Sequence, residues 1–188
     1  MKIGDENIER IVFERTKELL IRYGIKGWNM DDLSSECGMS KRTLYKIIGN
    51  KEDLLYKCYH DGFEQRLMTL RKLIKQNSNY NTLLDKLPEQ IMADIDEYII
   101  SASKSIKTEY PRISQMIEDK IEEQRMILAN LFDQLKAEGI LRDNVTAKII
   151  NNFINALMSY NILNCKDKTE FVTQTKDELI FLFNVIRK

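Results

Sequence analysis

Residues 29–51, NMDDLSSECGMSKRTLYKIIGNK, carry three helix-start signals and two glycine stops in one short run. That punctuation leaves room only for two short helices, a sharp turn between them and the opening of a third. Asn29 is placed to N-cap the first helix, whose first turn holds Asp31 and Asp32, where carboxylates suit the positive end of the helix dipole. Met30, Leu33 and Cys37 then share one face, at spacings of three and four. Gly38 ends this helix, since glycine accepts the left-handed conformation of a sharp C-terminal turn, and Met39 follows as an apolar plug. Ser40 caps the second helix; Gly49 closes it; Asn50 caps the next, with Asp53 in its first turn.

The second helix offers Leu44 and Ile47 or Ile48 to a core, while Lys41, Arg42, Thr43, Tyr45 and Lys46 can point outward. Those outward types bind phosphates and base edges. Between Glu36 and Glu52 there are four cations, Lys41, Arg42, Lys46 and Lys51, and no acid. A run of cations on a helix is ordinarily a solvated surface. Here the turn glycine, the plug, the caps and the acid-free outer face all agree on a DNA-reading helix-turn-helix over about 29–48. The whole chain has 29 Lys+Arg against 29 Asp+Glu, so no basic surplus provides a general affinity for polyanions. Binding must come from this concentrated patch.

The flanking sequence resembles the TetR family of one-component bacterial transcriptional regulators. An amphipathic first helix, IERIVFERTKELLIRYGIKGW, runs into the cap at Asn29, and GMSKRTLYKIIGNKEDLL is similar to the family's turn, recognition helix and the Lys-Glu-Asp-Leu-Leu opening of its fourth helix. The resemblance is close over about the first 65 residues, and beyond them it extends only to the all-helical plan. It implies DNA contacts from Asn29, Met30 and Ser40, phosphate grips from Thr43, Tyr45 and Lys51, and positions near bases or backbone for Lys41, Arg42 and Lys46. Two residues depart from the usual pattern. Arg42 stands where many members have a small residue, which bears on base preference; Ile48 replaces a common aromatic, which changes packing under the recognition helix.

The rest of the chain is a series of amphipathic stripes. Leu55, Tyr59, Phe63, Leu67, Leu70 and Ile74 continue a fourth helix out of the reading element with no proline, until the polar run NSNYN at 77–81 ends it. Leu84, Leu87, Ile91, Ile95, Tyr98, Ile99 and Ile106 mark a fifth, with Pro88 tolerated in a first turn or at a kink. Ile113 to Leu135 form a long helix stopped by Gly139. Val145, Ile149, Phe153 and Leu157, and then Phe171, Thr175, Leu179, Phe183 and Ile186, stripe the last two. The expected fold is all-α, about nine helices. It divides into an N-terminal three-helix DNA-binding domain, residues 6–66, and a C-terminal helical effector-binding and dimerisation domain, residues 67–188.

So much apolar surface on two terminal helices would leave part of it wet in a lone protomer, which favours self-association. The resemblance sharpens this to a homodimer through a four-helix bundle from the last two helices of each chain. Two recognition helices spaced about one duplex turn apart would then read a palindromic operator in double-stranded DNA. The same resemblance implies a repressor whose affinity is tuned by a small apolar or amphipathic effector. Met92, Tyr98, Met116, Met126, Phe132 and Tyr160 have side chains suited to such a pocket, yet each equally suits a plain core, and no effector site is assigned.

Other function classes find little support. Cys37, Cys58 and Cys165 are odd in number and lack any CxxC pair, which argues against a disulfide framework and a zinc site; small buried hydrophobes are expected. His60 is the only histidine, so no histidine pair, nucleophile elbow or phosphate-cradling glycine loop points to an enzyme, a metal or a cofactor. No apolar run approaches the roughly 20 residues of a spanning helix, and MKIGDENIER carries acids where a signal peptide would be apolar, so a cytoplasmic location is expected. The alternative is a helical adaptor that uses its Arg42 face on a protein, with no DNA binding.

Overall fold

The structure, a computed structural model, describes residues 6–93, 95 and 105–188. Among the described residues the bounded helices are, in order, α1 (Glu6–Tyr23), α2 (Met30–Glu36), α3 (Lys41–Ile48), α4 (Lys51–Gln76), α5 (Tyr80–Met92), α6 (Pro111–Ala137), α7 (Ala147–Asn164) and α8 (Lys168–Ile186). Residues 105–109 are also helical. The fold is all-α, and the only β pairing among the described residues is an isolated antiparallel bridge, Leu141 to Arg187. No described helix is long and apolar enough to cross a membrane.

Contacts divide the chain into two compact units, one of residues up to 62 together with a segment ending at 117, the other of Phe63–Ile95 and Glu118–Lys188. α4 and α6 therefore each contribute residues to both units. Ile106 and Ile113 belong to the first unit although they lie far along the sequence.

Local chemistry sets the helix ends as the spacing predicts. Asn29 accepts from the backbone N–H groups of Asp31 and Asp32, and Asp32 accepts from that of Asn29, completing a capping box. At the other end of α2, Gly38 has φ 61°, its N–H reaches Ser35 O at 3.1 Å, and the Met39 N–H reaches Ser34 O at 3.0 Å. This paired return of donors to the last turn needs a left-handed residue, which only glycine adopts without strain. Gly139 repeats the arrangement after α6. Asn79 and Thr146 cap α5 and α7. Pro88 lies inside α5, beyond its first turn, where it has no N–H to donate to Leu84 O. Tyr98 and Ile99 lie outside the described residues.

In the first unit Val12, Leu19, Leu20, Leu33, Leu44, Leu54 and Leu55 are buried together with Ile25 and Trp28 from the α1–α2 loop. In the second, α8 packs on α5 and on α7, and Phe132 meets Phe183 at 5.9 Å between ring centres. α8 buries the stripe that periodicity marks: Phe171, Thr175, Leu179, Phe183 and Ile186. A buried polar link fixes its register, with Asn161 Nδ2 donating to Thr175 Oγ1 at 2.9 Å and to Glu178 Oε2 at 2.6 Å.

α7 departs from expectation. Its inward residues are Ala147, Ile150, Asn151, Ile154 and Asn161, whereas Ile149 and Phe153 of the marked stripe are 44% and 56% exposed. The helix is apolar around most of its circumference, so periodicity alone could not say which stripe faces in.

Candidate nucleic-acid interface

α3 is capped by Ser40, whose Oγ accepts from the Thr43 N–H at 3.1 Å and lies 2.8 Å from Thr43 Oγ1. Leu44, fully buried, pins the helix to the unit, with Ile47 and Ile48 half-buried beside it. At about 100° per residue, Lys41, Arg42, Tyr45 and Lys46 occupy one arc of roughly 140°. All four are exposed, and Thr43 at its margin is half-buried. Gly49 ends α3 with φ 71° and ψ −142°. A Cβ there would stand 2.8 Å from Asp53 Oδ2, so a side chain at the turn from α3 into α4 would be strained by the positive φ and would have to displace the Asp53 carboxylate.

The cations on this arc differ in their engagements. Lys41 Nζ is held 2.6 Å from Asp31 Oδ1 on α2, and that hydrogen-bonded carboxylate raises the lysine pKa. Neither Arg42 nor Lys46 has an ion-pair partner among the described residues. Asp31 thus spends its charge on Lys41, and the outer face keeps two uncommitted cations and the Tyr45 hydroxyl.

Two residues that the resemblance places at DNA have inward-turned side chains in this structure. Met30 is 5% exposed, its side chain held in the core where the spacing with Leu33 also puts it. Lys51 turns inward: Nζ donates to Ile25 O at 2.7 Å and to Trp28 O at 2.5 Å, and lies 4.0 Å from the centre of the Trp28 ring. Burial lowers its pKa below the usual lysine value. Asn29 is exposed, but its side-chain oxygen is occupied by the cap of α2.

The start of α4 is held by contacts that local sequence does not suggest. Asn50 and Asp53 cap each other's backbone N–H groups, and Arg112 at the start of α6 donates to Asp53 Oδ1 at 2.8 Å while lying 4.4 Å from the centre of the Tyr56 ring. The Arg112 hydrogen bond, with that from the Asn50 N–H, holds the Asp53 carboxyl below its ordinary range. Glu109 pairs with Lys26 at 2.5 Å. A separation of more than fifty residues hides such partners from any local pattern.

The remaining candidates are quickly placed. Cys58 is buried as expected, whereas Cys37 and Cys165 are only half-buried, and burial pushes both of their thiols up, away from a reactive thiolate. His60 lies 3.2 Å from Asp61 and stacks on Tyr56. No group of three metal-ligating side chains occurs among the described residues. Of the residues suited to an effector pocket, Met92, Met116 and Phe132 are core, Met126 and Tyr160 are each 62% exposed, and Tyr98 lies outside the described residues. Met126 borders an open groove of about 420 Å³ between α6 and α7, with Arg125, Asp133 and Asn151.

Residues 12–58 match the family model of the bacterial regulatory proteins, tetR family. No curated protein sequence matches the chain. Solved structures of the same fold include a TetR transcription regulator from Haloarcula marismortui, 13% identical, with a TM-score of 0.80 over 98% of this chain and 100% of that one. A TetR-family regulator from Agrobacterium tumefaciens is 16% identical, with a TM-score of 0.76 over 97% and 99%. FadR from Bacillus subtilis, solved in complex with stearoyl-CoA, is 13% identical, with a TM-score of 0.70 over 91% and 97%. Residues 12–58 thus match the model of the bacterial regulatory proteins, tetR family, and the chain shares its overall fold with solved TetR-family regulators.

Proposed function

We propose that this chain is a DNA-binding transcriptional regulator, a repressor that occupies a palindromic operator as a homodimer. The observation that carries the reading is the exposed arc of α3, with Arg42, Tyr45 and Lys46 facing outward on a helix anchored by Leu44. Arg42 is the base reader, since a guanidinium can hydrogen-bond a guanine edge in two places. Ser40, Thr43, Tyr45 and Lys46 hold phosphates, and Lys41 joins them once Asp31 yields it. The N-terminal end of α2 at Asn29 approaches the backbone beside them.

The dimer is supported by the exposed apolar side chains on the last two helices: Ile149, Phe153, Tyr160 and Leu163 on α7, and Ile180, Phe181 and Val185 on α8. Faces of this kind are covered in stable soluble proteins. A small apolar or amphipathic effector, of the class that stearoyl-CoA represents in the B. subtilis relative, would modulate DNA affinity from the second unit. α4 contributes residues to both units and is the element through which its binding would be felt.

The test is operator binding against salt. DNA upstream of the chain's own coding region, titrated by gel shift or fluorescence anisotropy, should bind with an affinity that falls steeply as salt rises, because phosphate contacts release counterions. Binding to a protein partner that is indifferent to moderate salt, with no DNA bound, would instead establish the adaptor.

A further inference from the structure

We propose that Lys51 is an internal brace of the DNA reader and not a phosphate anchor, its ammonium tying the loop that enters α2 to the turn that leaves α3. The inference rests on the DNA-binding reading above. Lys51 is the first residue of α4, two positions after Gly49 ends α3, and both carbonyls it holds belong to the loop between α1 and α2. That loop is no loose strap: Ile25 and Trp28 are each 3% exposed, and the residue after Trp28 is Asn29, the cap of α2. One charge therefore fixes where α2 begins relative to where α3 stops.

The ammonium is well occupied. Two of its three donors go to Ile25 O and Trp28 O, at 2.7 and 2.5 Å, and the Trp28 indole lies against it at 4.0 Å. Asp32 and Glu109 supply compensating negative charge nearby. A phosphate could take only the third donor unless the side chain abandoned two part-buried carbonyls, which would then lack their donor. Lys46 and Arg42, already exposed and without ion pairs among the described residues, can meet phosphates at no such cost.

Two readouts separate a brace from an anchor. Trp28 is the only tryptophan of the chain, so its emission reports on the ammonium beside it in DNA-free protein. In the full chain, Lys51→Met should shift that emission and lower Tm. It should weaken binding roughly tenfold on operator and unrelated duplexes alike, the loss expected for a charged hydrogen bond. The slope of log affinity against log salt should equal that of the wild type. A slope shallower by about 0.9 would show that a phosphate contact had gone and would overturn the brace; an unchanged Trp28 emission would overturn it as well. Should Lys51→Met fail to fold, Lys51→Gln, whose neutral amide can still donate to the loop, is measured for its salt slope, and a slope shallower by about 0.9 again overturns the brace. Wild-type protein that binds no DNA removes the regulator reading, while the DNA-free emission still judges the brace.

Discussion

Arg42 and Leu44 stand two positions apart on α3 and do opposite work. Leu44 is fully buried, so Leu44→Ala should cost about 2–5 kcal/mol in denaturant unfolding and take DNA binding with it. Arg42 is exposed and has no ion pair among the described residues. Arg42→Ala should leave stability within about 0.5 kcal/mol, yet change the preferred half-site by about 1–3 kcal/mol. Competition binding across operator variants checks this; equal losses on every sequence would move Arg42 to the backbone. This division was legible from residue type and helical period. Met30 was not, because its spacing with Leu33 placed it in a core while its position in the family pattern placed it at DNA, and burial decides for the core. Lys51 was less legible still, since a long flexible stem can reach a phosphate or a carbonyl and only the packed loop shows which.

Among elements, α4 shows how a helix end is set twice. Its own sequence provides the Asn50 and Asp53 cap, and the distant Arg112 then binds the same carboxylate. The folded-state pKa of Asp53 is depressed below its ordinary 3.8, so its stabilising contribution is present above that value and is lost as pH falls through the depressed one. Melting curves taken between about pH 5 and pH 2.5 should therefore fall less steeply with acid for Asp53→Asn or Arg112→Gln than for the wild type. Curves of the same slope would mean that the pairing is equally present in the unfolded chain. The cap was readable because it lies within one turn. Arg112 was not, since nothing local links residues 53 and 112.

At the scale of the whole molecule, α7 and α8 leave apolar side chains exposed that the proposed dimer would cover. Phe181 is 71% exposed and Phe153 56%, so a charge at either position should be harmless to a lone protomer and damaging to a bundle. Phe181→Asp should yield a monomer by analytical ultracentrifugation, with its helix content kept and its affinity for the palindrome lost. A wild-type protein that sediments as a monomer at micromolar concentration would remove the dimer.

The sequence by itself determined the helices, their caps and stops, and the acid-free outer face of α3, because these depend on neighbours within one or two turns and on a fixed period. Tertiary structure alone decided which apolar stripe of α7 turns inward, that residues up to 117 join the first unit, and that Lys51 faces the loop carbonyls. Each of those outcomes depends on which distant surfaces meet, and burial is a property of the meeting rather than of the residue.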